Sequence, residues 1–386
     1  MSWETIAIEE LCLKVTSGGT PLRSRVEFYE GGTIPWIKTK EVNFNRIYEA
    51  DEKITEKGLD NSSAKLIPQN SILIAMYGDG HTAGRCAINR LPVATNQACC
   101  NLVINPEKAN PDYMFYKIST LYEIFRGLKS GGSQQNLNAK TLRGFKLQVP
   151  PLPTQLKIAS ILSAYDDLIE NNLKRIKLLE EQAFLTYKGI VNSEKLEERP
   201  ILDICYITDG THDSPKQQVD GIYLVTGKHL IGGSIDFTSA YFISETDHDK
   251  IQKRSRIVNG DLVLSNIGTI GNVAIIDSPF EFSVKNVIIF KPNSAKFTSF
   301  LYCYLNSVEM QIRFQQESSG TSQRFISLTY ARGLKVKLPS ETILIEFHND
   351  VSKLLKLKAV LNLQNTKLRE ARDILLPKLM NGQIEV

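Results

Sequence analysis

SGGSQQNLNAKTLRGFKLQVPPLP (130–153) and SSGTSQRFISLTYARGLKVKLPS (318–340) are one passage written twice. In each, a polar Ser/Gly/Gln run leads into a short turn or helix. An Arg-Gly pair follows (Arg143–Gly144, Arg332–Gly333), and then a strand that ends in proline. Working outward, LCLKVTSGGTP (11–21) pairs with ICYITDGTHDSP (204–215), and IPWIKTKEV (34–42) with IYLVTGKHL (222–230). IPQNSILIAMYGDGHTAGRCAI (67–88) pairs with IVNGDLVLSNIGTIGNVAI (257–275), each reading as turn, apolar strand, Gly-containing loop and strand. The order is kept and the offset is nearly constant, at roughly 190 residues, far beyond a solenoid period. The chain is a duplication.

Each copy runs into a long helix. Thr154 and Ser340 stand directly after a proline and read as N-caps. Leu162, Tyr165, Ile169, Asn172, Ile176, Leu179 and Ala183 alternate in steps of three and four. Leu354, Leu357, Leu361, Gln364, Leu368, Ala371 and Leu375 do the same, each 192 residues further on. Such spacing is a coiled-coil seam. Asn172 and Gln364 are the central polar members. An antiparallel pairing sets the two amides near one another to fix register, unless both reach solvent from the seam's edge. The first helix is expected to end near Gly189, and the second around Pro377 or Asn381–Gly382. NSEKLEERP (192–200) reads as a polar linker, and PDYMFYKISTLYEIFRGL (111–128) as an amphipathic helix with its aromatic stripe in the core.

The fold class predicted is α+β: two similar globular α/β domains, separated by two long helices that pair as an antiparallel coiled coil, a pseudo-twofold repeat. The domains are 1–151 and 192–339, with helical segments 152–191 and 340–386. The chain's 386 residues, 42% apolar and 23% charged, suffice for two such cores without disulfides or metal.

Net charge is only +4, and residues 1–151 carry 18 basic against 15 acidic groups, residues 200–339 14 against 13. Any nucleic-acid contact must therefore come from local clusters. The six cysteines form no CxxC pair and have no zinc-ligand spacing with histidines, which points to a reduced, metal-free cytoplasmic protein. MSWETIAIEELCLKV (1–15) lacks the layout of a secretory signal, and no apolar run is long enough to span a membrane.

Catalytic motifs are missing. GIYLVTGKH (221–229) has its glycines too far apart for a phosphate loop, with His229 where Ser or Thr should hold magnesium. The PPL at 150–152 lacks the flanking residues of an adenine methyltransferase motif, because Val149 and Leu152 occupy the two positions that matter. The acid pairs Asp166–Asp167 and Glu180–Glu181 read as solvated helix surface. No catalytic residue and no metal ligand is assigned.

The duplicated block, the junction QVPPLPTQLKIASILSAYDDLIENN (148–172) and the closing LREARDILLPKLMNGQIEV (368–386) together resemble the specificity (S) subunit of Type I restriction-modification systems. The resemblance covers essentially the whole chain. One departure is the second junction, LPSETILIEFHNDV, which has a single proline and no Gln at the position matching Gln155. The resemblance implies a non-catalytic, prokaryotic, cytoplasmic subunit that reads a bipartite, asymmetric site on double-stranded DNA, one half per domain. It implies two methyltransferase (M) subunits docked on the helices, with restriction (R) subunits as a further addition. S-adenosylmethionine and ATP/Mg then belong to those partners, in an adenine-N6 methyltransferase and endonuclease complex, and this chain itself has no cofactor. A helix over 154–188 would be about 52 Å long at about 1.5 Å per residue, enough to set two domains a DNA turn of about 34 Å apart.

The candidate DNA-binding residues lie in loops that recur in both copies. In the first they are Lys38, Lys40, Tyr77, His81, Arg85, Ser133, Gln134, Gln135 and Asn136. In the second they are Lys228, His229, Asn266, Thr269, Ser322, Gln323 and Arg324. Gln and Asn can bond adenine, Arg and Lys guanine, and Ser, Thr and Lys phosphate. The same residue types also serve as plain turn and surface polars. By itself the repeat also suits a pseudosymmetric coiled-coil scaffold whose domains bind protein or carbohydrate rather than DNA.

Overall fold

Ile72–Ala75 (ILIA) alternates its side chains between two cores, as a strand buried on both faces must. Ile72 and Ile74 pack with Tyr113, Met114 and Leu162, while Leu73 and Ala75 pack with Ile37, Val42 and Val93. Leu262–Ser265 plays the same part in the second copy. Leu262 and Leu264 join Phe300 and Phe347, and Val263 joins Val225 and Val284 on the other face.

The computed structural model describes residues 3–78, 81–128, 137–318 and 324–386. They pack as two units, Met1–Ile169 with Lys367–Val386, and Glu170–Thr366. In the first unit a five-stranded sheet runs Cys12–Ser17, Cys99–Ile104, Ile72–Ala75, Cys86–Asn89, Asn45–Ile47, antiparallel up to its last, parallel pair. A smaller sheet runs Glu52–Ile54, Ile34–Ile37, Ala94–Thr95. In the second unit a four-stranded sheet runs Cys205–Asp209, Val287–Pro292, Leu262–Ser265, Val273–Ile275, beside a three-stranded one of Tyr241–Ile243, Ile222–Thr226, Phe282–Lys285.

The repeated Arg-Gly pair has a structural task. Arg143 donates to the carbonyl of Val15 at 2.8 Å, and Arg332 to that of Ile207 at 2.9 Å. Each arginine ties the end of its block to that block's first long strand. The short helices before these glycines are capped alike, by Asn138 (Thr141 N–H, 2.8 Å) and by Ser327 (Tyr330 N–H, 3.0 Å).

The long helices are Leu152–Ser193 and Glu341–Met380, and they pair antiparallel within each unit. In the second unit Asn172 bonds Asn365 and Glu180 bonds Lys358; in the first, Leu162 shares a core with Leu379 and Asp166 bonds Arg372. On the first helix Leu162, Ile169, Asn172, Ile176 and Ala183 are buried, with Tyr165 and Leu179 half-buried.

The structure corrects the second seam. Leu361 is buried, and Leu354, Leu368, Ala371 and Leu375 are half-buried, but Leu357 is 39% exposed and Gln364 is exposed. Their neighbours Leu355, Lys358 and Asn365 turn inward instead. A helix of 3.6 residues per turn allows either of two adjacent positions at each step. Hydrophobicity favours Leu357 over Lys358, whereas the structure buries the lysine because it has an acid and a tyrosine to bond.

Further expectations are revised. The first helix starts at Leu152, so Thr154 lies inside it, and it passes Gly189 to end at Ser193. Ser340 directly precedes the second helix, which carries Pro377 within its last turn. The stretch 192–200 is not all linker: Glu197–Pro200 pairs antiparallel with Lys335–Leu338, as Glu4–Ala7 pairs with Lys146–Val149. The helix expected over 111–128 is two, Pro111–Ser119 and Tyr122–Gly127, with Tyr113, Phe115 and Tyr116 in the core. Asp166 is buried and Glu180 partly so, each bonded to a partner on the other long helix, whereas Asp167 and Glu181 are exposed as expected.

Candidate nucleic-acid interface

In the first unit the loop segments are stitched by backbone bonds. Asn96 N–H donates to Ile37 O at 3.0 Å, Met76 N–H to Ala98 O at 2.8 Å, and Leu137 N–H to Met76 O at 3.1 Å. In the second unit Ile326 N–H donates to Asn266 O at 2.9 Å, and the Asn272 side chain to Leu230 O at 2.7 Å. Leu137–Met76 and Ile326–Asn266 are equivalent bonds. In both units, then, the chain following the Ser/Gly/Gln run is tied to the loop after the central buried strand. Gly227 adds a close approach, since a Cβ there would lie 2.9 Å from Ser265 Cβ. The short turn bearing Lys228 is thereby packed onto the same strand end. The segments singled out in the sequence therefore converge, unit by unit.

The individual side chains separate into three groups. Tyr77 (39% exposed), His81, Lys228, Thr269 and Arg324 are exposed, and Arg85 is half-buried. Tyr122 Oη donates to the carbonyl of His81 at 2.5 Å, which holds that loop against the domain. Lys38 and Lys40 face solvent in part but are engaged. Lys38 bonds Glu52, which Arg23 also bonds, and Lys40 bonds Asp51 at 2.6 Å. These ion pairs hold both carboxyls below the usual carboxylate range. Ser133, Gln134, Gln135, Asn136, Ser322 and Gln323 lie outside the described residues.

Two candidates are buried and bonded within their own unit. His229 is fully buried: its Nδ1 accepts from Thr226 N–H at 2.8 Å, and its Nε2 faces Ser239 O at 3.3 Å. Burial pushes its pKa down, so the ring serves as a neutral brace for its own turn. Asn266 is buried too, with its amide donating to Ile326 O at 3.2 Å, and it pins the following segment from within. Short polar side chains in turns bond nearby backbone, which loop composition alone does not distinguish from recognition.

The sequence reading passed over an aromatic and cationic group in the first unit. Phe44 is 37% exposed and held at φ 54°, a left-handed conformation costly for a bulky residue. Its ring meets Tyr122 edge-on at 5.2 Å, and the Arg126 guanidinium lies 5.5 Å from the Tyr122 ring. Nothing in the amino-acid order announces a positive φ at a phenylalanine. Among the described residues no group of three or more His, Cys, Asp or Glu is placed to hold a metal, and no helix is long and apolar enough to cross a membrane.

Two related α/β units, each packed on both long helices and each gathering polar loops at one strand end, define a duplicated α/β protein with a helical spacer. The chain belongs to the family of the Type I restriction modification DNA specificity domain, whose model matches it twice, over residues 1–181 and 193–371. It is 27% identical over 416 aligned residues to the Type I restriction enzyme MjaIX specificity subunit of Methanocaldococcus jannaschii, across 100% of this chain and 94% of that protein. It is 32% identical over 182 residues to the EcoR124I/EcoR124II specificity subunit of Escherichia coli, across 46% of this chain and 45% of that protein. The S subunit of a Type I restriction-modification system from M. genitalium has the same fold, with a TM-score of 0.64 at 17% identity over 98% of this chain and 96% of that one. The function is thus DNA specificity within a Type I restriction-modification system.

Proposed function

We propose that each unit reads one half of a bipartite, asymmetric site on double-stranded DNA, and that the loops differ between units because the half-sites differ. The observation that carries this reading is the double match to a DNA specificity domain, combined with loop segments drawn to equivalent places in both units. The recognition domains are residues 1–151 and 192–339, and the helical segments 152–191 and 340–386 are the spacer. Tyr77, His81, Arg85, Lys228, Thr269 and Arg324 are the described side chains free enough to meet bases or phosphate, with Ser133–Asn136, Ser322 and Gln323 beside them in sequence. Lys38 and Lys40 would contact phosphate only by leaving Glu52 and Asp51, so their role is secondary.

Two methyltransferase subunits would dock on the outward faces of the helices, where Leu173, Leu178, Val360 and Ile374 are exposed. Restriction subunits would join that core. S-adenosylmethionine and ATP/Mg would be bound by these partners, which supply adenine-N6 methylation and cleavage in the prokaryotic cytoplasm, while this chain supplies recognition alone.

The test is co-expression with a Type I methyltransferase subunit that co-purifies with the chain, followed by mapping of N6-methyladenine in the host genome by long-read sequencing. One two-part motif with a fixed spacer is expected. A folded, methylating complex that marks no such motif would overturn the reading.

A further inference from the structure

Two ion pairs cross the helix pair, one in each unit. In the first unit Asp166 accepts from Arg372 at 2.6 Å and from Tyr116 Oη at 2.5 Å. In the second, Glu180 accepts from Lys358 and from Tyr302 Oη at 3.3 Å, and Lys358 Nζ also donates to Tyr302 Oη at 2.9 Å. Asp166 and Lys358 are buried, and Arg372 and Glu180 are partly so.

The 192-residue offset of the repeat aligns position 166 with 358 and position 180 with 372. The tyrosines respect this alignment, since Tyr116 bonds the side chain at 166 and Tyr302 the one at 358. The charges do not. At each pair of equivalent positions the sign is inverted: Asp166 against Lys358, Glu180 against Arg372. At these four crossing positions the first long helix carries only acids and the second only bases.

We infer that this inversion is a pairing code, by which the first half of the chain accepts the second half and rejects another copy of itself. If a second copy of the first helix took the place of the second helix, Asp166 would meet the other copy's Glu180. Two carboxylates would then share a largely desolvated site. If two copies of the second helix paired, Lys358 would meet Arg372. The buried amides add to this. The same offset sets Leu173 of a second copy opposite Asn172, which would lose the partner it has in Asn365. Arg46, bonded to Asp167 at 2.5 Å and to Tyr116 Oη at 3.4 Å, belongs to the domain in either pairing and leaves the comparison unchanged.

Energetics favour a specificity role over a stabilising one. A buried ion pair gains little over an apolar pair, because desolvation offsets its attraction, whereas like charges brought together there are strongly unfavourable. Mispairing also has its occasion. A nascent first half carries its long helix before the second helix has been made. The code goes beyond DNA recognition and holds whatever sequence is read.

The test uses full-length chain. Two differently tagged copies are unfolded in urea, mixed, refolded together, and assayed by tag capture and by light-scattering mass. Wild type is expected to refold with little cross-tag capture. E180K/K358E keeps opposite charges in both crossings within the chain but gives each long helix one acid and one base. Self-pairing is then permitted, and cross-tag capture should rise by at least about tenfold. Reversing both pairs, D166K/E180K/K358E/R372E, makes each helix single-signed again, and capture should fall back to the wild-type level. D166K/R372E gives the same helix composition as E180K/K358E and is read identically should the latter fail to refold. Capture by a refolded single-pair reversal no higher than wild type overturns the inference. So does capture by the fourfold variant as high as by the single-pair one, which would mean that destabilisation alone drives exchange.

Discussion

Asn172 Nδ2 donates to Asn365 Oδ1 at 3.0 Å, with both residues buried between the two long helices. A buried amide pair of this kind adds little net stability but is costly to leave half made. It fixes the register of the seam together with the two ion pairs that cross it, Asp166–Arg372 and Glu180–Lys358. Asn172→Ala removes the donor to the buried Asn365 Oδ1 and should cost about 1–3 kcal/mol in urea unfolding. N172L/N365L should recover most of that deficit, so the double-mutant cycle should show strong coupling between the two positions. Additive effects would remove the amide pair from the account.

Lys358 is the more sensitive residue of its ion pair. Its side chain is only 4% exposed, while Glu180 retains 26%. Burial pushes the lysine pKa down and Glu180 opposes that shift. Lys358→Ala removes the packed stem as well as the charge and should cost about 3 kcal/mol, toward the lower limit for breaking a buried pair, because Glu180 keeps an edge in water. Lys358→Met also breaks the pair but keeps the stem, and should cost less than Lys358→Ala by the packing of that stem. Chemical denaturation of the two variants separates packing from charge.

Acid should weaken the second unit through two of its histidines. Burial holds the pKa values of His229 and His348 below the ordinary histidine value, and Nδ1 of His229 needs its lone pair for the Thr226 N–H. The unfolded chain takes up these protons as the pH falls through about 6.5, while the folded chain refuses them. Stability from both groups is therefore full above that pH and is lost as the pH falls toward the folded values. The melting temperature should drop between pH 7 and pH 5, and His229→Gln should flatten part of that slope. An unchanged slope would mean that the ring is not held neutral.

Much of the architecture was legible in the amino-acid order. The two copies, the Arg-Gly pairs and the seam of the first helix all follow from repetition and periodicity, which report burial directly. The second seam was legible only to within one residue. Lys358 and Asn365 are buried through partners on other elements, and no local pattern encodes a partner 178 residues away, as Glu180 is from Lys358. The candidate DNA residues were legible as loops but not as side chains. His229 and Asn266 have recognition-type chemistry, yet spend it on their own backbone. Phe44 escaped notice because its distinction is a backbone angle.

Exposed cations in the loops should behave differently from these braces. Lys228→Ala and Arg324→Ala should each weaken DNA binding by the assembled methyltransferase complex. The salt-dependence slope should fall by about one for each phosphate that the variant no longer neutralises. Neither should change the unfolding free energy by more than about 0.5 kcal/mol, being surface substitutions. Asn266→Ala should do the reverse, lowering stability with the salt slope unchanged.

The central claim, that each unit reads its own half-site, is tested most directly by methylome mapping of the assembled complex carrying alanines at Ser322, Gln323 and Arg324. A two-part motif is expected whose one half is relaxed or absent while the other half and the spacer length persist, with the mirror result for alanines at Ser133–Asn136. Equal degradation of both halves by either replacement, in a complex that remains folded and active, would contradict it.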